Sequence, residues 1–213
     1  MKEIGNWKLE IGNSSQREGG FTLIEVLVSA AILVILAAGF LGLQFIISQN
    51  QVTAWRNYLA IEAANLSLSN LSRELRDARQ SGTGGYPLEV PNDQEIVFYS
   101  DIDYDEEIER VRYTLSGTEL TKGVIEPVGE PATYPADTEK TKIVTDIVRN
   151  ASNPVFYYYN SDWPTDTTNN PLPSNLRISD TRQIKIILIT NPKADSPEFD
   201  FRLESDVRLR MLN

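Results

Sequence analysis

The 213-residue chain contains no cysteine and no histidine. Without cysteine there is no disulfide framework and no thiol nucleophile. Without histidine the commonest general base and the commonest zinc ligand are missing. Ser-His-Asp and Cys-His triads are therefore excluded, and with them most metal-hydrolase sites. The phosphate-cradling pattern G-x-x-x-x-G-K-S/T is absent, as is G-x-G-x-x-G after a strand. Positive charge is scarce: 20 basic residues face 30 acidic ones, for a net charge of −10. Neutralising phosphates needs clustered Lys and Arg, so nucleic acid is not an expected partner. These absences argue against an enzyme, and no organic cofactor is expected.

Long apolar runs are also rare, and the one present dominates the N-terminal quarter. Residues 1–20 (MKEIGNWKLEIGNSSQREGG) are polar and would not fold alone. Residues 21–47 are almost wholly apolar, with Ser29 the one polar side chain between Val26 and Leu43. With its flanks this run reaches the roughly 20 residues that a spanning helix needs. Lys2, Lys8 and Arg17 precede it, whereas Arg56 is the one basic residue soon after it. That asymmetry places the N-terminus on the cytoplasmic side of a single-pass protein. Residues 48–80 keep a helical period without proline. Val52, Trp55, Leu59, Ala63 and Leu66 recur at threes and fours, and Leu71, Leu75 and Ala78 continue after a phase slip. The segment reads as an amphipathic continuation of the membrane helix, stopped by Ser81 to Gly85 and Pro87.

From Glu95 the period changes to two. EIVFYS (95–100) reads as a strand, and in ERVRYTL (109–115) Val111, Tyr113 and Leu115 share one face. TELTKGVI (118–125) follows Ser-Gly and completes a hairpin. TKIVTDIVRN (141–150) fits a strand or a helical turn. VFYYY (155–159) and RQIKIILIT (182–190) are further strands, separated by a polar, Pro-rich loop at 160–175. From Phe199 to Met211 alternate positions are mostly apolar and the intervening ones charged, which predicts one long or bent edge strand. A helix followed by a run of strands predicts an α+β fold, the long N-terminal helix packed on an antiparallel sheet in residues 81–213.

Two features outside the apolar run are candidates for function. In DIDYDEEIER, Asp101, Asp103 and Asp105 have the alternate spacing of a calcium loop. Counting Asp101 as position one, Glu106 stands where the loop needs Gly, and Arg112 stands where it needs Glu. An acidic turn joining two strands is the preferred reading, with calcium as the alternative. Tyr157, Tyr158, Tyr159 and Trp163 fit either a surface patch or, preferably, a strand alternating between core and interface.

The apolar run itself poses the sharper problem, because Glu25 sits at its start and a free carboxylate in hydrocarbon is expensive. A secretory signal peptide fits poorly. Gly19, Gly20 and Glu25 are polar interruptions, and the run outlasts the usual h-region of about 7–15 residues, although Ala37 and Gly39 are small enough to precede a cut. A plain membrane anchor explains the length but not Glu25. The stretch GGFTLIEVLVSAAILVILAAG closely resembles the N-terminus of type IV pilins and pseudopilins. The resemblance rests on Gly20, Phe21, Thr22, Leu23, Ile24 and Glu25 abutting a membrane helix.

That resemblance implies cleavage by a prepilin peptidase between Gly20 and Phe21, with methylation of the new Phe21 amine. It further implies that Glu25 pairs with the amine of a neighbouring subunit during assembly, which relieves an otherwise unpaired charge in the bilayer. Gly39 and Gly42 fall where pilin helices commonly melt in a filament, and equally fit ordinary membrane-helix composition, in which glycine is frequent. The chain then divides into a cleaved leader (1–20), a transmembrane assembly helix (21–47), its amphipathic continuation (48–80) and an extracytoplasmic β domain (81–213). The strand pattern resembles large minor pilins and, less strictly, J-type minor pseudopilins. Many major pilins close a C-terminal loop with a disulfide, which this chain cannot form, so the resemblance favours a minor subunit. The implied partners are other pilins or pseudopilins, the prepilin peptidase, an inner-membrane assembly platform and membrane lipid. The alternative is a membrane-anchored extracytoplasmic binding module, calcium-dependent through Asp101, Asp103 and Asp105, that never enters a filament.

Overall fold

The computed structural model describes residues 20–193 and 199–210. The expected leader, apart from Gly20, and the expected strand end at Met211 lie outside the described residues. The chain forms two units, residues up to Gln51 and residues from Val52. A single helix, α1 (Leu23–Arg76), contributes to both.

In the first unit every described residue is exposed, including Leu27, Leu33, Leu36, Phe40 and Phe45. Apolar side chains on every side of a helix have no aqueous solution other than burial in a membrane or in other subunits. Among the described residues, α1 is the helix long and apolar enough to cross a membrane. Gly39 and Gly42 lie inside it with open space around their Cα atoms.

In the second unit the last turns of α1 bury Ala64, Leu68, Leu71, Ser72 and Leu75. These positions lie three and four apart and so form one stripe. Their partners come from two antiparallel sheets. The first is a meander of β1 (Leu88–Pro91), β2 (Glu95–Ser100), β3 (Glu109–Ser116), β4 (Glu119–Ile125) and β5 (Lys140–Thr145). The second contains β6 (Phe156–Tyr159), β7 (Gln183–Thr190) and β8 (Phe201–Arg208), with β7 central. A four-residue helix, α2 (Arg177–Asp180), lies between β6 and β7 in the chain. One core joins the helix to both sheets: Leu71 and Leu75, Phe98 and Tyr113, Phe156 and Ile186 all belong to it.

The alternation expected of β3 is seen directly. Val111, Tyr113 and Leu115 are buried while Arg110, Arg112 and Thr114 are partly exposed. Gly117 has φ 61° in the two-residue turn to β4, a conformation that tight hairpins require and glycine adopts without penalty. Tyr158 and Tyr159 are buried, and Tyr159 packs on Trp163 at 4.5 Å between ring centroids, so the aromatic cluster belongs mainly to the core. In β8, Leu203, Ser205 and Val207 turn inward, and Ser72 Oγ donates to or accepts from Ser205 Oγ at 2.7 Å, tying helix to sheet.

Four details differ from the sequence expectation. The helix ends at Arg76 rather than 80, because the Arg79 N–H is taken by the Tyr99 carbonyl at 2.8 Å, which draws the chain into the sheet before the glycines are reached. The strands divide into two sheets rather than one. Strand β1, bracketed by Pro87 and Pro91, was not anticipated; it is an edge strand with an irregular register at Glu89, the place where a sheet tolerates proline. Finally, Val52, Trp55, Leu59 and Leu66 are all exposed, Leu59 by 60%. At 3.6 residues per turn these lie on roughly the opposite side of α1 from Leu68, Leu71 and Leu75. The apparent phase slip near residue 66 is thus a change of face.

Candidate functional site

The N-terminal candidates start at Gly20 and Phe21, both exposed, just ahead of α1. Thr22 precedes the first helical residue and Glu25 stands three residues later. Thr22 N–H and Thr22 Oγ1–H both donate to Glu25 Oε2 at 3.3 Å, and Glu25 N–H donates to Thr22 Oγ1 at 3.3 Å. This is a reciprocal capping box, which satisfies backbone donors left over at a helix start. A negative charge in the first turn also suits the positive end of the helix dipole. The Thr-x-x-Glu spacing carries that signal in the sequence, but the expectation for Glu25 addressed only its intermolecular role.

The second candidate is the loop from β2 to β3. Asp101 follows β2 directly and is 8% exposed; its Oδ1 accepts the Tyr104 N–H at 2.7 Å. Tyr104 and Glu106 both take positive φ, 65° and 75°, so the loop turns sharply without glycine. Glu109, the first residue of β3, is fully buried. Its Oε2 accepts the Ile102 N–H at 2.8 Å, while its Oε1 is buried without a hydrogen-bond partner. Carboxylate oxygens of Asp101, Asp103 and Glu109 all lie within 4.8 Å of one another.

The carboxylates gathered here differ from the expected triplet Asp101, Asp103 and Asp105 in the third member. The Asp105 Oδ1 accepts the Glu107 N–H at 2.9 Å, and Glu109 takes the third place in the group. The sequence did contain a signal for Glu109. It shares the parity of Val111, Tyr113 and Leu115, so a carboxylate was placed on the apolar face of a strand. Burial pushes the Glu109 carboxyl up to about 7, against the opposing pull of the Ile102 N–H. The Asp103 carboxyl is also raised, by desolvation and then by the neighbouring Asp105 charge.

Beyond the loop lies a cleft of about 680 Å³, lined by Gly82, Glu107, Pro127, Pro131 and Tyr134 among others. Tyr134 braces it, its OH donating to the Ile108 carbonyl at 2.8 Å and accepting the Gly82 N–H at 3.2 Å. The cleft presents carboxylates and prolines and no nucleophile with an adjacent base.

Comparison with known families matches residues 15–41 to the prokaryotic N-terminal methylation motif. No curated protein matches the chain. The motif covers Gly20, Phe21 and Glu25 together with the exposed start of α1 as far as Leu41, and it points to a structural, non-enzymatic protein anchored in a membrane. With a prepilin-type methylation motif opening a 54-residue helix whose far end packs on antiparallel sheets, the chain fits a type IV pilin or pseudopilin.

Proposed function

We propose that this protein is a minor subunit of a type IV pilus or a type II secretion pseudopilus. A prepilin peptidase at the inner membrane cuts between Gly20 and Phe21 and methylates the Phe21 amine. The subunit then passes from the cytoplasmic membrane into a filament through its apolar helix, meeting other pilins and the assembly platform. Its acidic β domain faces the extracytoplasmic side.

The observation that carries this reading is the junction itself: Gly20-Phe21 exposed at the start of a helix whose apolar first part, to Gln51, is exposed throughout, with Glu25 in its first turn, inside a methylation motif. The physical argument is that processing creates the missing counter-charge. Before cleavage no amine stands at the helix tip. After it, the Phe21 amine of one subunit offers a partner to the Glu25 carboxylate of the next, and a paired charge in hydrocarbon is far cheaper than an unpaired one.

Intact mass and N-terminal sequencing of the protein from membranes of a cell expressing its peptidase form the direct test. A mature chain starting at methylated Phe21 is expected; any other start overturns the assignment. Glu25→Ala is expected to leave cleavage intact and to abolish incorporation into filaments. A membrane-anchored module outside any filament would behave identically with and without that substitution.

A further inference from the structure

We infer that Asp101, Asp103 and Glu109 form a binding site for a hard divalent cation of calcium's size, which fastens the loop between β2 and β3. The group brings three carboxylates within 4.8 Å of one another, two of them buried. Acidic residues alone would not make a site, since turns often collect them. The deciding feature is the Glu109 Oε1, a carboxylate oxygen in a fully buried side chain with no hydrogen-bond donor. A buried, unpartnered carboxylate oxygen costs several kcal/mol of lost hydration unless something replaces the water. Among the described residues no Lys or Arg pairs with Asp101, Asp103 or Glu109. A divalent cation would satisfy this oxygen and offset the negative charge of the carboxylates at once.

The division of labour among the oxygens fits this reading. The Ile102 N–H already occupies Glu109 Oε2, and the Tyr104 N–H already occupies Asp101 Oδ1. Those bonds hold both carboxylates in place through one oxygen each, which is how supporting hydrogen bonds orient metal ligands. Asp103 is exposed and supplies the outer ligand. Glu109 belongs to β3, where it pairs in register with Ser100 of β2, so the innermost ligand stands on a rigid ladder. Three carboxylates plus loop carbonyls and water supply the six to eight oxygens that calcium takes at about 2.3–2.6 Å, and a flexible loop suits calcium better than the strict octahedron of magnesium. The spacing departs from the helix-loop-helix calcium motif, because the third ligand comes from the strand and not from the loop.

The test uses the full-length chain in detergent micelles, stripped with a chelator and then titrated with calcium chloride. Thermal melting is followed alongside terbium luminescence, for which Tyr104, exposed within the loop, is the built-in sensitiser. A saturable rise in melting temperature is expected, with half-saturation on the order of 10⁻⁴–10⁻³ M. Terbium emission should be displaced by calcium and only weakly by magnesium. Glu109→Gln and Asp103→Asn should each weaken binding at least about ten-fold. Asp103 is exposed, so its variant is expected to fold even where Glu109→Gln does not. Absence of any calcium shift beyond that of sodium chloride at equal ionic strength overturns the site, as does an undiminished shift in Asp103→Asn. Cleavage at Phe21 is unaffected by either result.

Discussion

Gly123 sits in the middle of β4, a place where glycine weakens a strand by roughly 0.5–1 kcal/mol relative to alanine. The reason for it lies across the ladder. Gly123 pairs with Arg112 on β3, and the Glu139 side chain lies over the glycine to reach the guanidinium. Arg112 Nε donates to Glu139 Oε1 at 2.7 Å and Nη2 donates to Oε2 at 2.7 Å, a fork with about a third of the arginine and less of the glutamate exposed. A Cβ on Gly123 would overlap the Glu139 carboxylate. Gly123→Ala must therefore push Glu139 off Arg112. Bonds to charged groups contribute about 1.5–3 kcal/mol, and Arg112 keeps its looser contact with Glu95 at 3.7 Å, so the displaced fork is worth about 2 kcal/mol. Subtracting what alanine returns leaves a net loss of about 1–1.5 kcal/mol. For a domain of this size that is a fall of roughly 3–5 °C in melting temperature. Near-UV circular dichroism of the full chain in detergent reads it through the buried Tyr113 and Tyr158. The same substitution in a Glu139→Ala background should instead raise the melting temperature, because only the strand propensity remains. Equal destabilisation in both backgrounds would refute the argument.

Asn150 is fully buried and bridges the backbone of β7, donating to the Ile187 carbonyl at 2.9 Å and accepting the Ile189 N–H at 2.8 Å. Asn150→Ala strands both groups and should cost about 2–4 kcal/mol, measured by the same melts. The Arg112 fork holds the Glu139 carboxyl below its usual value of 4.5. A carboxyl depressed in the folded state adds stability above its unfolded pKa and loses it as pH falls through the folded one. Melting temperatures taken between about pH 5 and pH 3 should therefore fall more steeply for the native chain than for Glu139→Gln; parallel curves would remove that contribution.

What could be read in the sequence was whatever one residue's neighbours dictate. The alternation of Val111, Tyr113 and Leu115 gave β3 its inner face because each residue answers to one surface. The apolar run and Gly20-Phe21 with Glu25 gave the anchor and the family likeness because the motif is contiguous. Strand β1 was hidden, since its hydrogen bonds to β2 compensate for flanking prolines that argue against a strand. The division into two sheets was hidden too, because pairing depends on partners far apart in the chain, as when Val155 and Phe156 turn their N–H groups to the Asp93 carbonyl. In the acidic loop, spacing suggested Asp105, whereas the carboxylate gathered with Asp101 and Asp103 is Glu109, whose direction is set by the ladder it belongs to.

The two apolar faces of α1 have a genetic consequence. Leu71 and Leu75 answer to the chain's own sheets, whereas Trp55, Leu59 and Leu66 are exposed and lie outside the core of the described residues. Loss-of-function alleles in this helix should accordingly sort into two complementation classes only a turn or two apart. Alleles on the first face deplete the protein itself. Alleles on the second leave normal amounts of a folded chain that competes with its wild-type sibling, and these are the ones that can act dominantly.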